Sequence, residues 1–221
     1  MPSELDLQNE VKRKKIHYIG LSVPVLYYFT GKELMLVLIG LALISFIIID
    51  YLRLYTKNKY MNYLFGKDGY RARIKIKSLD GKHDIDKSIA FPTLDPLLRS
   101  EEKRSWGSHT FYALGSFLCI LFYTKNIAIA ATAALLIGDS FAALVGKTIG
   151  RHRIYKKKTL EGSSACFLSC LVLYYFILPV PIAIIGAVAT TLTELYSTRI
   201  NDNLTIPLVS GGVMTLANYI F

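Results

Sequence analysis

Three cysteines in 221 residues, Cys119, Cys166 and Cys170, leave no disulfide framework to read, and all three fall in apolar segments. Cys166 and Cys170 share a C-x-x-x-C spacing without histidine partners, so zinc-ligand spacing is absent and packing is their expected role. Carboxylates are scarce as well: 16 Asp and Glu stand against 26 Lys and Arg, for a net charge of +10. The first apolar segment follows Lys12-Arg13-Lys14-Lys15 but carries Pro24 and three tyrosines. No small-residue cleavage pattern follows it, so a retained first helix is expected rather than a signal peptide. No internal repeat or low-complexity tract stands out. The chain reads as one domain, 1–221, with a polar insertion at 53–106.

Apolar runs fill the rest, and 52% of the residues are hydrophobic, too many for an ordinary soluble domain. Seven segments approach the ~20 residues of a membrane span. They are Ile16–Thr30, Glu33–Leu52, Gly107–Thr124, Ile127–Ile149, Ser164–Leu178, Pro181–Leu195 and Leu204–Phe221. The expected fold class is therefore an all-α polytopic integral membrane protein. With the N-terminus cytoplasmic, 24 of the 26 cations share the inner side, and only Lys32 and Lys125 fall outside. Inner cations beside lipid headgroups account for the charge, with no nucleic acid required.

Inside the insertion, Tyr70 to Lys77 alternates apolar residues with Arg71, Arg73, Lys75 and Lys77. Period two followed by Asp80-Gly81 predicts a β-hairpin over 70–90 with a cationic face. Contact with anionic headgroups accounts for that face; a cover over a nucleotide site is the functional alternative. Leu97 to Trp106 reads as a short interfacial helix leading into the third span.

Asp139 interrupts the fourth apolar run. A carboxylate at membrane depth costs roughly 2.5–3.5 kcal/mol on insertion scales and marks a functional site by default. Lys147, Arg151, Arg153 and Lys156–Lys158 follow, then Thr159, Glu161 and Ser163; Glu194 ends the sixth span and Asp202-Asn203 opens the seventh. Phosphoryl transfer needs a metal, cations that spread charge, and a group that positions the attacking hydroxyl. Mg²⁺ takes one or two carboxylates plus substrate phosphates. All these residue types converge on the cytoplasmic face. Gly146-Lys147-Thr148 is not a P-loop, because Phe141 stands where the first glycine is required and no strand precedes it. Gly146 and Gly150 form a G-x-x-x-G pair that allows close helix contact, within the chain or in a homo-oligomer. Asn203-Leu204-Thr205 matches a glycosylation sequon but lies on the cytoplasmic side.

The block Gly138-Asp139-x-x-Ala142-x-x-x-Gly146-Lys147-x-x-Gly150-Arg151, with Lys158-Thr159-Leu160-Glu161-Gly162-Ser163, resembles a known signature. It is that of the CTP-dependent lipid kinases: dolichol kinase, phytol kinase and the CTP-using diacylglycerol kinase. The related phosphatidate cytidylyltransferases share its first half. Arg13-Lys14-x-x-His17, Leu98-Arg99-x-x-Glu102, Glu194 and Asp202-Asn203-Leu204-x-Ile206-Pro207 extend the resemblance to the kinase side. The cytidylyltransferase C-terminal signature is missing. Lys147 stands where arginine is common and lacks the bidentate fork.

The resemblance implies transfer of the CTP γ-phosphate to a membrane lipid alcohol, a polyprenol such as dolichol being the expected acceptor. It implies catalytic roles for Asp139, Glu161 and Lys158, and a divalent cation such as Mg²⁺ on Asp139, Asp202 and Asn203. Gly138, Gly146, Lys147, Gly150, Arg151, Thr159, Gly162 and Ser163 would bind nucleotide phosphates, with His17, Arg99, Glu102 and Glu194 as further candidates. A diacylglycerol or phytol kinase, a cytidylyltransferase attacking the α-phosphate, and an ion-coupled transporter using Asp139 and Glu194 are the alternatives.

Overall fold

A computed structural model describes residues 11, 14, 17–55, 71–77, 84–90, 106–156, 158–197 and 201–221, with the strands at 71–77 and 84–90 described as backbone. The chain divides into two compact units, residues 1–46 with 108–221, and residues 47–107.

In the first unit a 3₁₀ turn, Tyr18–Leu21, leads into α1 (Ser22–Phe29). There follow α2 (Lys32–Tyr55, which continues into the second unit), α3 (Ser108–Phe122), α4 (Lys125–Thr148), α5 (Leu160–Tyr175), α6 (Val180–Tyr196) and α7 (Asp202–Ile220). Each of the seven apolar segments thus contains a helix. Two, Lys32–Leu52 and Lys125–Thr148, are long and apolar enough to cross a membrane; four shorter apolar helices fall below that length.

The centre is α4, whose Ala128, Ala130, Ala131 and Ala134 are fully buried. Small side chains let neighbouring helices approach closely where lipid supplies no hydrophobic drive. One side of α4 packs on Cys166, Cys170, Tyr174, Ala187 and Met214 of α5, α6 and α7. Tyr27, Met35 and Cys119 form a second cluster with Ala128 on the other side. All three cysteines are free and buried, as their apolar setting leads one to expect.

The two cations that break the charge asymmetry are held in place. Lys32 Nζ donates to the Leu121 carbonyl at 2.8 Å, and Lys125 Nζ to the carbonyls of Tyr28 and Thr30 at 2.9 and 3.0 Å. Each ammonium sits where a helix C-terminus leaves carbonyls unsatisfied and the helix dipole is negative.

The second unit holds an antiparallel pair, β1 (Arg71–Lys77) and β2 (Asp84–Ala90). β1 runs where the alternation places it and β2 lies in the expected return stretch to Ala90; the expected Asp80-Gly81 turn lies outside the described residues. The register sets Lys75 opposite Asp86 and Lys77 opposite Asp84. Directly paired residues share a face, so Asp84 and Asp86 take register positions on the face of the four cations. The same register puts Ala72, Ile74, Ile76, Ile85, Lys87 and Ile89 on the other face. Asp50, near the end of α2, accepts the backbone N–H of Gly107 at 2.8 Å.

Candidate functional site

The signature residues gather at one end of the helices in the first unit, where α4 ends, α5 begins, α6 ends and α7 begins. A short hairpin joins α4 to α5, with β3 (Arg153–Tyr155) antiparallel to β4 (Lys158–Thr159). Thr159 is the N-cap of α5, its Oγ1 accepting from Gly162 N at 3.2 Å.

Three signature glycines close around this cap. A methyl on Gly146 would meet Thr159 Oγ1 at 3.1 Å. On Gly162 it would meet the Ala142 carbonyl at 2.8 Å, and on Gly150 the Gly146 carbonyl at 2.2 Å. A methyl on Gly138 would lie 2.7 Å from Cys170 Sγ. Glycines assigned from sequence to a triphosphate thus have close partners within the protein, and they seat α4 against the start of α5. Gly150→Ala collides with main chain, which cannot swing aside as a side chain can. It is expected to destabilise by about 1–3 kcal/mol, as overpacking does, read as a lowered thermal midpoint in detergent. An unchanged midpoint would contradict this packing.

Asp139, in the C-terminal half of α4, is paired with Lys14, whose ammonium donates to Oδ2 and, at 3.2 Å, to the Asp139 carbonyl. The Lys14 side chain is only 3% exposed. His17 Nε2 lies 4.0 Å from the same carboxylate oxygen. Lys14 belongs to the Arg13-Lys14-x-x-His17 pattern, yet the sequence by itself assigns it no site role. Its three-residue spacing from His17, which puts both on one helical face, is the signal that could have found it.

Lys158 pairs with Glu194 of α6, which is 2% exposed. Glu194 Oε2 is buried with no hydrogen-bond partner among the described residues. Burial pushes the Lys158 pKa down; Glu194, and beyond it Asp202 and Asp139, more than offset this, leaving it above its ordinary value. One ammonium therefore feels three carboxylates from α4, α6 and α7.

Glu161, in the first turn of α5, accepts from His152: Nδ1 and Oε1 are 2.7 Å apart, and the backbone N–H lies 3.3 Å from both oxygens. Backbone N–H groups, foremost its own, and the His152 ring hold the carboxyl down at about 2. It is ionised throughout the physiological range.

Asn203 is turned to the scaffold. Its Nδ2 donates to the Ser108 carbonyl at 3.2 Å, and its N–H is bonded by the Asn201 side chain, the N-cap of α7. Ser163 Oγ is buried without a partner among the described residues. Lys147 lies in the last turn of α4 and Arg151 is exposed beyond it. Arg99 and Glu102 lie outside the described residues, as does most of the 97–106 segment.

Among the described residues no group of three His, Cys, Asp or Glu side chains could hold an ion by itself. Mg²⁺ bound to a nucleotide does not require one, since phosphates complete its shell. Asp139 and Asp202 both lie within electrostatic reach of Lys158.

No family model matches the chain, and no solved structure matches it. An uncharacterised protein of Rickettsia prowazekii is 31% identical over 215 residues, covering 92% of each chain. CTP-dependent diacylglycerol kinase 1 of Schizosaccharomyces pombe is 27% identical over 143 residues, 56% of this chain and 66% of its own. A phytol kinase of Synechocystis is 33% identical over 150 residues, 61% of this chain and 64% of its own. The match thus spans just under two thirds of either kinase.

Proposed function

We propose that this chain, which belongs to the same family as the Rickettsia prowazekii protein, is a CTP-dependent kinase of a membrane lipid alcohol. The observation that carries it is the pair of buried ion pairs at one end of the helices, Lys14 with Asp139 and Lys158 with Glu194, within a signature resembling that of the lipid kinases. Similarity to a CTP-dependent diacylglycerol kinase and a phytol kinase supports the same activity. We place seven spans in the membrane and the site on its cytoplasmic face, where nucleotides are. Positive-inside asymmetry supports that orientation.

In the proposed reaction the lipid hydroxyl oxygen attacks the γ-phosphorus of CTP, and the bond to the β–γ bridging oxygen breaks. The products are a lipid monophosphate and CDP. Asp139 receives the hydroxyl proton, at a carboxylate that Lys14 and His17 hold in place. Lys158 spreads the charge growing on the phosphoryl oxygens and the leaving CDP, while Glu161 stays anionic beside the α5 N-terminus. Lys147 and Arg151 serve the outer phosphates. A bound Mg²⁺ would neutralise phosphate charge at Asp139 and Asp202. The lipid tail reaches the site laterally between helices, so only the hydroxyl meets the polar cluster.

The acceptor is an alcohol on an apolar tail. A polyprenol of the dolichol type is proposed from the sequence, and diacylglycerol and phytol stand beside it through the relatives. The purified protein should be stabilised against heat by CTP with Mg²⁺ and should phosphorylate one of the three acceptors when each is offered in turn. Neither stabilisation nor transfer is expected of an ion carrier, and their joint absence would move the transporter alternative to the front.

A further inference from the structure

The hairpin between α4 and α5 exposes a combination that the phosphoryl site leaves unused. Ile149 is 62% exposed, Ile154 50% and Leu160 52%, large aliphatics grouped on one short connection. In the β3–β4 register Arg153 pairs with Thr159, and the Leu160 N–H donates to the His152 carbonyl at 2.8 Å. Thr159 is buried among the glycines, while Ile154 on β3 and Leu160 at the first position of α5 both reach the surface. Arg153 and Lys156 are exposed beside them. Lys156 makes the turn with φ of 51° and lies 5.5 Å from the Tyr155 ring. Between Ile149 and Leu160 the chain has no carboxylate, and Glu161 is engaged by His152. Tyr155 packs on Tyr196 at the end of α6, ring centres 5.5 Å apart, and Tyr196 is itself largely exposed.

Aliphatic tips, flanking cations and tyrosines at a helix end are the composition of a segment lying in the headgroup layer. Ile149 follows directly on α4, one of the two helices apolar enough to cross a membrane, whose Phe141 is also exposed. Exposed apolar side chains thus stand both on that helix and on the hairpin. The cations, with no acid beside them in the chain, complement a negative lipid surface. We infer that the β3–β4 hairpin is an interfacial anchor seated in the anionic headgroup layer: Ile149, Ile154 and Leu160 reach the acyl boundary, and Arg153 and Lys156 bind lipid phosphates. This goes beyond kinase activity and rests on the membrane setting alone. It fixes the adjoining Lys158 and Thr159 at the depth where a lipid hydroxyl lies.

The test uses the full chain, with Trp106→Phe removing the single tryptophan and Ile154→Trp placing a reporter on the hairpin. The protein is reconstituted in phosphatidylcholine vesicles with and without phosphatidylglycerol, and with brominated acyl chains as quencher. An unchanged thermal midpoint shows that the reporter is tolerated; Ile149→Trp replaces it otherwise. Blue-shifted emission, quenched by brominated lipid, is expected. Arg153→Gln with Lys156→Gln should weaken quenching more in anionic than in neutral vesicles. Emission of a water-exposed indole, or a blue-shifted indole that brominated lipid leaves unquenched, would overturn the anchor. Equal quenching in both vesicle types, untouched by the double substitution, would overturn the headgroup contact. Turnover does not enter the readout, so failure of the kinase assay leaves this result standing.

Discussion

Asp139→Asn is expected to abolish transfer and to lower the thermal midpoint at the same time. From sequence alone the substitution looks neutral for stability, because a lone carboxylate in an apolar run has no visible partner. Burial of Lys14 against it changes that expectation. Removing one member of a buried pair leaves an uncompensated charge, which typically costs about 3–5 kcal/mol. Loss of a positioned proton acceptor costs about 10²–10⁴-fold in rate. The two effects can be separated by Lys14→Met with Asp139→Asn, which removes both charges. That double variant should recover much of the midpoint and none of the transfer. If activity returned with the midpoint, Asp139 would be a structural partner of Lys14 and not the acceptor of the hydroxyl proton.

Lys158→Met is expected to cost on the order of 10²–10³-fold in kcat, the effect of deleting a preorganised electrostatic contact to developing charge. Glu194→Gln should be milder at neutral pH and should show itself in the pH profile. In the wild type Lys158 is held above its ordinary value chiefly by Glu194, against burial. A raised lysine contributes fully below its unfolded-state value of 10.5 and loses that contribution as pH rises through the folded value. Without the Glu194 carboxylate, burial acts with less opposition and the folded value falls. The alkaline limb of kcat should then move to lower pH in Glu194→Gln, a shift absent from Lys158→Met, which has no ammonium to titrate. An unmoved limb would contradict Glu194 as the residue that keeps Lys158 charged.

Much of this architecture is legible in the chain because its signals are local. Hydropathy marks each helical segment, and period-two alternation marks the first strand of the hairpin. Asp139 stands out because an apolar run offers it no cheap reason to be there. What escaped depends on contacts between distant residues. Lys14 becomes a site residue only when its helical turn meets α4, 125 positions away. Lys32 and Lys125, exceptions to the charge rule by counting, become helix-end partners once α1 and α3 stop beside them. The pairing partners of Lys75 and Lys77, Asp86 and Asp84, are set by the β1–β2 register, which the alternation of one strand does not give. Glycines in a phosphate-associated signature look like a cradle until Thr159 is seen among Gly146, Gly150 and Gly162. A motif tells which residues matter together, while packing decides what each one touches.

The most direct test of the central claim is a transfer assay with CTP labelled separately at the α and γ phosphates, with phosphatidate, diacylglycerol, phytol and a polyprenol as acceptors. Label reaching an alcohol acceptor from the γ position alone, with CDP as the second product, is the predicted result. Label arriving from the α position, on phosphatidate, would make the chain a cytidylyltransferase and contradict the account.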